Sequence, residues 1–555
     1  MVDRLTLEVI RGAAAYISEE MGVVLRNTAF SPNIKDRHDH SCAVLAPWGE
    51  LVAQAEHIPV HIGSMAVGVE NALKELRRAG EDLGPGDVLV TNDPYIAGTH
   101  LNDVLMIKPV YHQDSLVALV ASKAHYVDVG GAVPGSIGGA RELIQEGLVI
   151  PPVKLVEEGR LNRWLLDVLR ANVRTPEIFE GDLRAQLSSL EVGARRVREL
   201  AEKYGGEVLV EAWRWILDYT ERYTRNTIRD LGVEGSWEAE DYVELQDGSL
   251  RRIKVKVTIS GGGVEADYTG TDPQVEEPIN AVLGVTVAAS TFALKTVIDP
   301  EMPVNHGFFR AVKVYAPPGT LLNPRPPAPV AAGNTETSQR IVDVVHKALH
   351  QALPDRVPAA SCGSMTNLML GGEGWAFYET IACGQGAGPW GDGMDGVHTN
   401  MTNTLNTPIE RLEQEYPVLF TKYELRPDSE GPGKWRGGLG VVRALKILSE
   451  KAVLTVVGER CSTRPWGLHG GRPAPPALYL LKREDGRVER LPCKATRVVG
   501  RGDEVIVKTP GGGGYGDPCE RSRDLVLKDL MDEKISRERA EREYCWSGSP
   551  RGPPT

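Results

Sequence analysis

The apolar residues at the start of the chain recur at helical spacing. One face of a predicted first helix carries five of them, at steps of three and four residues: Ile10, Ala14, Ile17, Met21 and Val24. The same spacing between Met65 and Leu76 predicts a second amphipathic helix, which Gly80 ends. A strand-like run that begins at Cys42 lies between these two helices.

Two apolar runs further along the chain favour a β-hairpin. Residues 104–110 and 116–121 are strand-like and are separated by a short polar loop. Pairing the two runs across this loop places Asp103 opposite Lys123. An error of one or two residues in the register would change the partners but would leave the same residues at the open end of the hairpin.

The open end of this hairpin gathers two imidazoles and a carboxylate, those of His100, Asp103 and His125. Neutral imidazoles and carboxylates around one point are typical ligands of Mn, Fe or catalytic Zn. Seven of the 12 histidines lie between residues 38 and 125 of the 555-residue chain, a clear enrichment. The segment therefore predicts a metal site. The alternative is a polar cluster in which histidines and acids cap one another.

Helical and strand-like patterns alternate along the rest of the chain. They predict a large α+β protein with a mixed, multi-layer architecture and a metal site near an N-terminal β-hairpin. A buried helix is expected at 281–299 and a single charged helix at 520–545. We expect five regions: a metal-site region at 1–160, a helical region at 161–235, a mixed α/β central region at 236–430, a strand- and glycine-rich region at 431–520, and a charged terminal helix and tail at 521–555.

The overall composition is that of an ordinary folded chain, with 41% hydrophobic and 25% charged residues. Its 63 Lys and Arg against 75 Asp and Glu give a formal net charge of −12. This charge argues against a protein that coats nucleic acid or an anionic membrane. No apolar stretch is long enough to span a bilayer, and the start of the chain lacks an apolar signal core. We therefore expect a cytoplasmic protein.

The seven cysteines are dispersed, odd in number and never spaced as CxxC. In a cytoplasmic protein such cysteines are expected to be reduced thiols and not a disulfide framework.

Nucleotide-binding motifs are weak or missing. The chain contains no phosphate loop of the form GxxxxGK[ST]. GxGxxG strings occur at 386–391 and 511–516, but neither follows a clear strand and opens a helix. We interpret both as tight glycine turns, and we expect the isolated chain to have no ATPase activity.

Polar segments of the central region supply neutral donors and acceptors suited to an uncharged ligand. Asn334 and Glu336 lie just before an apolar helix, and His398 lies in a segment rich in Thr and Asn. These three residues are candidates for substrate binding. Such residues also cap helices and stabilise turns, which is the alternative.

Several motifs together resemble the hydantoinase B family, in the family's order, from roughly residue 5 to residue 520. The motifs are SPNIKDRHDHSCAV, AEHIPVHIGSM, GDVLVTNDPYIAGTHLND, AHYVDVGG, GNTETSQRIVD, DGVHTNMTNTLNTPIERLEQEYP, GKWRGGLG and TPGGGGYGDP. The family comprises the B-type subunits of ATP-dependent N-methylhydantoinases, the C-terminal half of 5-oxoprolinases, and α-type subunits of acetone and acetophenone carboxylases. The chain departs from the family pattern at His40, where an aromatic residue is usual, and at Tyr126, where a second histidine is common.

The resemblance implies that two subunits divide the chemistry. A hydantoinase A-type partner binds ATP and phosphorylates the carbonyl oxygen of a lactam, hydantoin or ketone enolate. The B-type subunit carries a divalent metal (Mn, Zn or Fe) where the activated intermediate is attacked. By this resemblance His100, Asp103 and His125 fall on the stretches that carry metal ligands, and His61 is the choice for the fourth ligand.

For catalysis, the resemblance makes Asp93 or Asp128 the base or an orienting group beside the metal. It implies a metal-dependent subunit of an ATP-dependent hydrolase that opens hydantoin or 5-oxoproline within a hetero-oligomer, without nucleic-acid or membrane partners. Two alternatives remain: an α-type subunit of an ATP-dependent ketone carboxylase, and a non-catalytic scaffold for the partner.

Overall fold

The computed structural model describes residues 2–55 and 57–548 of the chain. Within these residues the chain forms four β-sheets and 13 α-helices, which confirms the mixed architecture expected from the sequence patterns. None of the helices in this described part is long and apolar enough to cross a membrane.

The first sheet is built from the N-terminal part of the chain. Its strands are β1 (His40–Leu45), β2 (Leu51–Ala55), β3 (Val88–Thr91), β4 (Asp103–His112), β5 (Ser115–His125), β6 (Val153–Glu157) and β7 (Arg160–Leu161). The strand order is β2-β1-β5-β4-β3-β6-β7, and every neighbouring pair is antiparallel. The hairpin β4–β5 is therefore flanked on both sides by other strands.

The predicted hairpin is present, but the predicted register is wrong by two residues. Asp103 pairs with His125 and not with Lys123. One residue of this shift arises at the turn. Strands β4 and β5 extend beyond their apolar segments toward each other, so that only Gln113 and Asp114 form the turn. Gln113 takes a φ of 53° in this tight turn.

The other half of the shift arises from a β-bulge in β5. Val117 lies between the residues that pair with Val110 and Tyr111, and it has no partner of its own. Its carbonyl oxygen accepts a hydrogen bond of 2.9 Å from Nε1 of the buried Trp213. The apolar pattern could not reveal this bulge because Val117 simply continues the apolar run.

Helices cover both faces of the first sheet. The 13 helices are α1 (Arg4–Thr28), α2 (Pro32–Lys35), α3 (Ser64–Arg78), α4 (Pro94–Ala97), α5 (Arg163–Ala171), α6 (Pro176–Tyr204), α7 (Gly206–Asp230), α8 (Leu283–Ile298), α9 (His306–Ala311), α10 (Ser338–His350), α11 (Ile409–Glu415), α12 (Arg523–Met531) and α13 (Arg537–Glu543). The apolar face of α1 packs in the main core with α6, whereas α3 packs in a separate core on the opposite face. Alternate residues of β5, such as Val120 and Ala121, enter these two cores.

Three more sheets form the rest of the protein. Their strands are β8 (Gly235–Glu244), β9 (Leu250–Ser260), β10 (Gly263–Asp267), β11 (Val312–Tyr315), β12 (Asn367–Gly372), β13 (Trp375–Thr380), β14 (Val418–Leu425), β15 (Val441–Ile447), β16 (Ala452–Val457), β17 (Leu478–Lys482), β18 (Val488–Leu491), β19 (Lys494–Val499) and β20 (Glu504–Lys508). The sheet orders are β11-β10-β9-β8, β13-β12-β16-β19 and β14-β15-β20-β17-β18. Helix α10 packs on β8 and β9, which connects the second sheet to the buried turn that precedes this helix.

The charged C-terminal segment differs from the single helix that its composition predicts. It forms two short helices, α12 and α13, because the chain turns at Glu533, whose φ is 55°. Residues 549–555 of the predicted tail lie outside the described residues.

The expectation of reduced thiols is wrong for six of the seven cysteines. They form the disulfides Cys362–Cys383, Cys461–Cys493 and Cys519–Cys545, while Cys42 is free and buried. For one of these pairs the reason lies in the strand topology: Cys461 follows β16, Cys493 precedes β19, and these two strands are antiparallel neighbours. Their ends therefore meet although the cysteines are 32 residues apart in sequence.

Candidate metal centre

The open end of the β4–β5 hairpin brings together the predicted cluster. Asp103 begins β4 and His125 ends β5, where they form a pair. His100 lies in the turn before β4. Ligand atoms of His100, Asp103 and His125 all lie within 4.8 Å of one another, and all three residues are buried.

The turn that carries His100 depends on a glycine. Helix α4 ends at Gly98, whose φ of 84° lies in the left-handed region, and a Cβ at this position would lie only 3.1 Å from the carbonyl oxygen of Ser64. Nδ1 of His100 lies 3.1 Å from the carbonyl oxygen of Ala331. Since a carbonyl only accepts, Nδ1 donates and Nε2 presents its lone pair, 3.4 Å from Oδ1 of Asp103.

A buried carboxylate supports this arrangement from behind. Oε1 of Glu146 accepts hydrogen bonds from the backbone N–H groups of Val330 (2.8 Å) and Ala331 (2.9 Å). It thereby fixes the backbone at Ala331, whose carbonyl accepts the hydrogen bond from His100. Burial raises the pKa of Glu146 to about 8.

His61 lies beside the second carboxylate oxygen of Asp103, Oδ2. It ends a short 3₁₀ turn, Pro59–His61, and its Nε2 lies 3.4 Å from Oδ2 of Asp103. Its Nδ1 lies 3.0 Å from the hydroxyl of Ser41 in β1. This hydroxyl orients the ring in the way that groups outside a metal's ligand shell do.

His125 is held by an amide and an aromatic ring. Its Nδ1 lies 3.1 Å from the side-chain amide nitrogen of Asn33, and its ring stacks on Tyr378 with 4.8 Å between the centroids. Arg37 donates to the Oδ1 of Asn33 and to the backbone oxygen of Tyr378, so it braces both neighbours of His125.

Four ligand atoms of this cluster are buried without a hydrogen-bond partner among the described residues: Nε2 of His61, His100 and His125, and Oδ2 of Asp103. Each buried, unpaired polar atom costs about 1–3 kcal/mol. Since buried polar atoms in folded proteins are nearly always paired, four unpaired ones at one place make the cluster a candidate ligand site.

Burial and neighbouring charges set the protonation of the cluster. Burial lowers the pKa of His125 well below its ordinary value and also lowers that of His61. Burial alone would raise the pKa of Asp103, but the adjacent imidazoles hold it well below its ordinary value. The cluster therefore presents His61 and His125 as neutral imidazoles beside the ionised carboxylate of Asp103, and these are the forms that bind metal.

The cavity beside the cluster contains a carboxylate that the sequence did not indicate. Asp39 lines this cavity of about 20 Å³ together with Asp103, and its backbone oxygen accepts from the N–H of His125. Burial, with the charge of Asp103, raises the pKa of Asp39 to about 7, against the effect of Arg37. Only the pairing of β1 with β5 would have revealed it, and that pairing leaves no local pattern. A cavity of this size holds one water molecule or one ion.

A buried lysine connects the turns that carry two of the imidazoles. Nζ of Lys123 donates to the backbone oxygen of Ala97, at the end of α4, and to Oγ of Ser64, which follows the His61 turn. Burial lowers the pKa of Lys123 to about 8, although Asp103 opposes this effect. Lys123 therefore ties the turns before His100 and after His61 to the hairpin.

The two predicted catalytic carboxylates lie elsewhere and do not line the cavity. Asp93 caps α4, where its side chain accepts from the N–H of Tyr95. Asp128 is buried and accepts from the N–H groups of Gly130 and Gly135 and from Nη1 of Arg174. Both carboxylates have structural partners that account for their positions.

The three predicted substrate-binding residues occupy different positions. Asn334 lines the cavity, and its Oδ1 is buried without a partner among the described residues. Glu336 lies behind it, where burial raises its pKa to about 8 while the hydroxyl of Ser364 donates to it. His398 lies outside the cavity lining and contacts Asn406.

A second group of metal-binding residue types lies near β8 and consists of Glu244, Cys461 and Cys493. The two cysteines are joined as a disulfide. The carboxylate of Glu244 accepts from the backbone N–H groups of Cys461, Ser462 and Thr463. Its ligand atoms are therefore already satisfied within the protein.

Residues 3–518 match the family model described as Hydantoinase B/oxoprolinase. The chain belongs to this family. It is 53% identical over 545 residues to an uncharacterised protein of Methanocaldococcus jannaschii, covering 98% of this chain and 96% of that protein. It is 33% identical to the B-type subunit of a putative D-/L-hydantoinase from a Pseudomonas strain, covering 98% and 95%. The crystal structure of the ATP-dependent caprolactamase from Pseudomonas jessenii superposes with a TM-score of 0.92 at 31% identity, covering 100% of this chain and 98% of that one.

Proposed function

We propose that this chain is the metal-dependent catalytic subunit of an ATP-dependent cyclic-amide hydrolase and works with an ATP-binding A-type subunit. The observation that carries the proposal is the group of four unpaired ligand atoms at a small, buried cavity. The names of the hydantoinase and caprolactamase relatives support the reaction class. The lack of a phosphate-loop motif in the chain fits an ATP site on the partner.

The cluster fits a divalent cation such as Mn, Zn or Fe. His100, Asp103 and His125 would hold it, with His61 as the fourth ligand, because the ligand atoms of all four are buried and unpaired. A bound cation of this kind lowers the pKa of a water molecule and polarises a carbonyl group. Asp39 and Asp103 together supply two negative charges, which balance one divalent cation.

The surrounding residues have separate tasks in the proposed reaction. Asp103 would serve as a metal ligand, which leaves Asp39, the other carboxylate of the cavity, to orient the attacking water and hold its proton. Ser41 and the carbonyl of Ala331 keep two imidazoles in position. The residues that line the cavity are all buried, which limits the access of bulk water to an activated intermediate.

The proposal is tested with the purified complex of this chain and its A-type partner. We expect stoichiometric divalent metal in the chain and ATP-dependent opening of a lactam or hydantoin ring. His100→Ala and Asp103→Ala should abolish ring opening. If ATP were turned over with a ketone and bicarbonate but with no cyclic amide, the chain would be a subunit of a carboxylase and not of a hydrolase. A metal-free complex that stays fully active after both substitutions would reduce the chain to a scaffold.

A further inference from the structure

A second pair of imidazoles lies on the other side of strand β1. Ser41 contacts His61, so the alternation of side chains along the strand turns the preceding residue, His40, toward helix α1. There the ring of His40 meets the ring of His57, with 4.9 Å between the centroids and 50° between the two planes. The metal centre described above does not use either ring.

The separation of these two rings is that of two ligands on one metal ion. With a metal–nitrogen distance of about 2.1 Å and a tetrahedral angle, the centres of two imidazoles lie about 5 Å apart. In the candidate metal centre the rings of His100 and His125 are separated by a similar distance, 5.0 Å. The ring of His38 lies 6.5 Å from that of His40, which is too far for both to bind one tetrahedral ion.

Each ring has one engaged nitrogen and one unpaired nitrogen. Nε2 of His57 lies 3.0 Å from Oε2 of Glu19 and donates to it, because a carboxylate only accepts. The ring of His40 hydrogen-bonds to the backbone of Gly22. Nδ1 of His40 and Nδ1 of His57 are both buried without a partner among the described residues. Histidines that bind metal typically hold their second nitrogen against a carboxylate or a backbone carbonyl in this way.

Helix α1 shapes the space around the pair. Glu19 and Gly22 lie three residues apart and therefore share one face of the helix. A Cβ at Gly22 would lie only 2.3 Å from Cε1 of His57, so the missing side chain allows this ring to approach the helix. His40 is 2% exposed, whereas the side chain of His57 is 25% exposed. Water can therefore reach the pair from the side of His57 and complete the coordination of an ion.

We propose that His40 and His57 form a second cation site, which binds Zn²⁺ through their two Nδ1 atoms and water. Imidazole ligands suit zinc, whereas Mg²⁺ and Ca²⁺ prefer oxygen ligands. The ion would join α1, β1 and the segment around Ile58. Asp39 precedes His40 and Ile58 follows His57, and both line the cavity of the candidate metal centre. A bound ion would therefore hold two parts of the cavity wall in place.

The test uses the full chain with His100→Ala and Asp103→Ala, which remove two ligands of the candidate metal centre and leave the pair intact. We expect this chain to bind zinc, with an affinity that competition with a chelator measures. Adding His40→Phe, which keeps the bulk of a ring, or His57→Gln should abolish this binding. His112→Gln, at the far end of the hairpin, is the matched control and should leave the zinc affinity unchanged.

Two further measurements test the geometry of the site. Glu19→Gln removes the carboxylate that holds Nε2 of His57, so the zinc affinity of the same chain should fall by about 10-fold. Anomalous diffraction from crystals of the unaltered chain grown with zinc should place an ion between Nδ1 of His40 and Nδ1 of His57. The diffraction experiment needs no substitution, so it does not depend on the folding of a variant.

Three results would overturn the inference. The first is a chain with His100→Ala and Asp103→Ala that binds no zinc. The second is an unchanged zinc affinity after both His40→Phe and His57→Gln, with the variants folded. The third is the absence of an anomalous peak between the two rings. Each result would leave the proposed function standing, because that function depends only on the cluster at the end of the hairpin.

Discussion

Two buried clusters of metal-binding residue types differ in how their ligand atoms are satisfied. In the cluster at the hairpin end, three imidazole nitrogens and a carboxylate oxygen have no partner among the described residues. In the group near β8, the sulfurs of Cys461 and Cys493 are bonded to each other, and Glu244 accepts from backbone N–H groups. Residue types alone therefore do not distinguish the two clusters, whereas the hydrogen-bonding state of their ligand atoms does.

The surroundings of the two clusters differ in the same way. Near β8, Arg340 lies 3.3 Å from Asp343 and 3.4 Å from Glu459, and Lys494 pairs with Glu459 at 2.6 Å. These buried charges balance one another within the protein. At the hairpin end, Asp39 and Asp103 interact unfavourably with each other. A divalent cation would relieve that repulsion.

The largest expected effect is on metal content. His100→Ala removes an unpaired imidazole from the hairpin cluster, so we expect metal affinity to fall by more than about 100-fold. Glu244→Gln alters the satisfied group and should leave metal content unchanged. Elemental analysis of both purified variants checks this contrast. Equal loss of metal in both would contradict the distinction drawn between the two clusters.

The disulfide of the second group should act on stability alone. Replacing Cys461 and Cys493 together with serine should lower the free energy of unfolding by about 2–4 kcal/mol, because the unfolded chain loses a cross-link. Denaturant titration measures the change, and metal content serves as the internal control. A metal-depleted double variant would show that the second group, too, contributes to metal binding.

The sequence predicted the cluster better than it predicted its geometry. The apolar spacing in α1 and the convergence of His100, Asp103 and His125 follow from local patterns that survive a register error. The bulge at Val117 and the approach of Asp39 do not, because both depend on which strands pair and on contacts far apart in sequence. Asp93 and Asp128 show the converse: proximity in sequence to the cluster did not place them in the cavity.

A smaller effect should reveal whether His61 belongs to the ligand set. Ser41→Ala removes the hydroxyl beside Nδ1 of His61, so metal affinity should weaken by about 10–100-fold if His61 is a ligand. Competition with a chelator measures the affinity. Ser462→Ala, at the satisfied group, is the matched control and should bind metal as the unaltered chain does. Unchanged affinity in Ser41→Ala would exclude His61 as a ligand.

The effects of pH on stability have opposite signs in the two regions. The pKa of Glu146 is raised by burial from 4.5 to about 8, so its stabilising contribution is present at low pH and is lost as pH rises through this interval. Burial alone would raise the pKa of Glu244, but hydrogen bonds from Thr463 and Ser462 lower it below 4.5, so its contribution is present above 4.5 and is lost as pH falls.

Glutamine substitutions isolate these contributions. The difference in unfolding free energy between the unaltered chain and Glu146→Gln should fall by about 1.4 kcal/mol for each pH unit between pH 5 and about 8. For Glu244→Gln the corresponding difference should shrink only in acid. Unfolding titrations at several pH values check both signs, and parallel curves for the two variants would contradict them.

The bulge at Val117 lies near the tip of the hairpin, far from the cluster, but it sets the strand register on which the geometry of the cluster depends. If Val117 paired within the ladder instead of bulging, the strands would slip by one position, and the side chains of β5 would turn to the opposite face of the sheet. Asp103 would then face Ala124 and not His125. Trp213 donates a hydrogen bond to the carbonyl of Val117 and thereby stabilises the bulge. It therefore helps to set the register at the other end of the hairpin, where the cluster lies. Single-residue insertions or deletions at the tip should therefore be treated, in relatives and in engineered variants, as changes to the cluster itself.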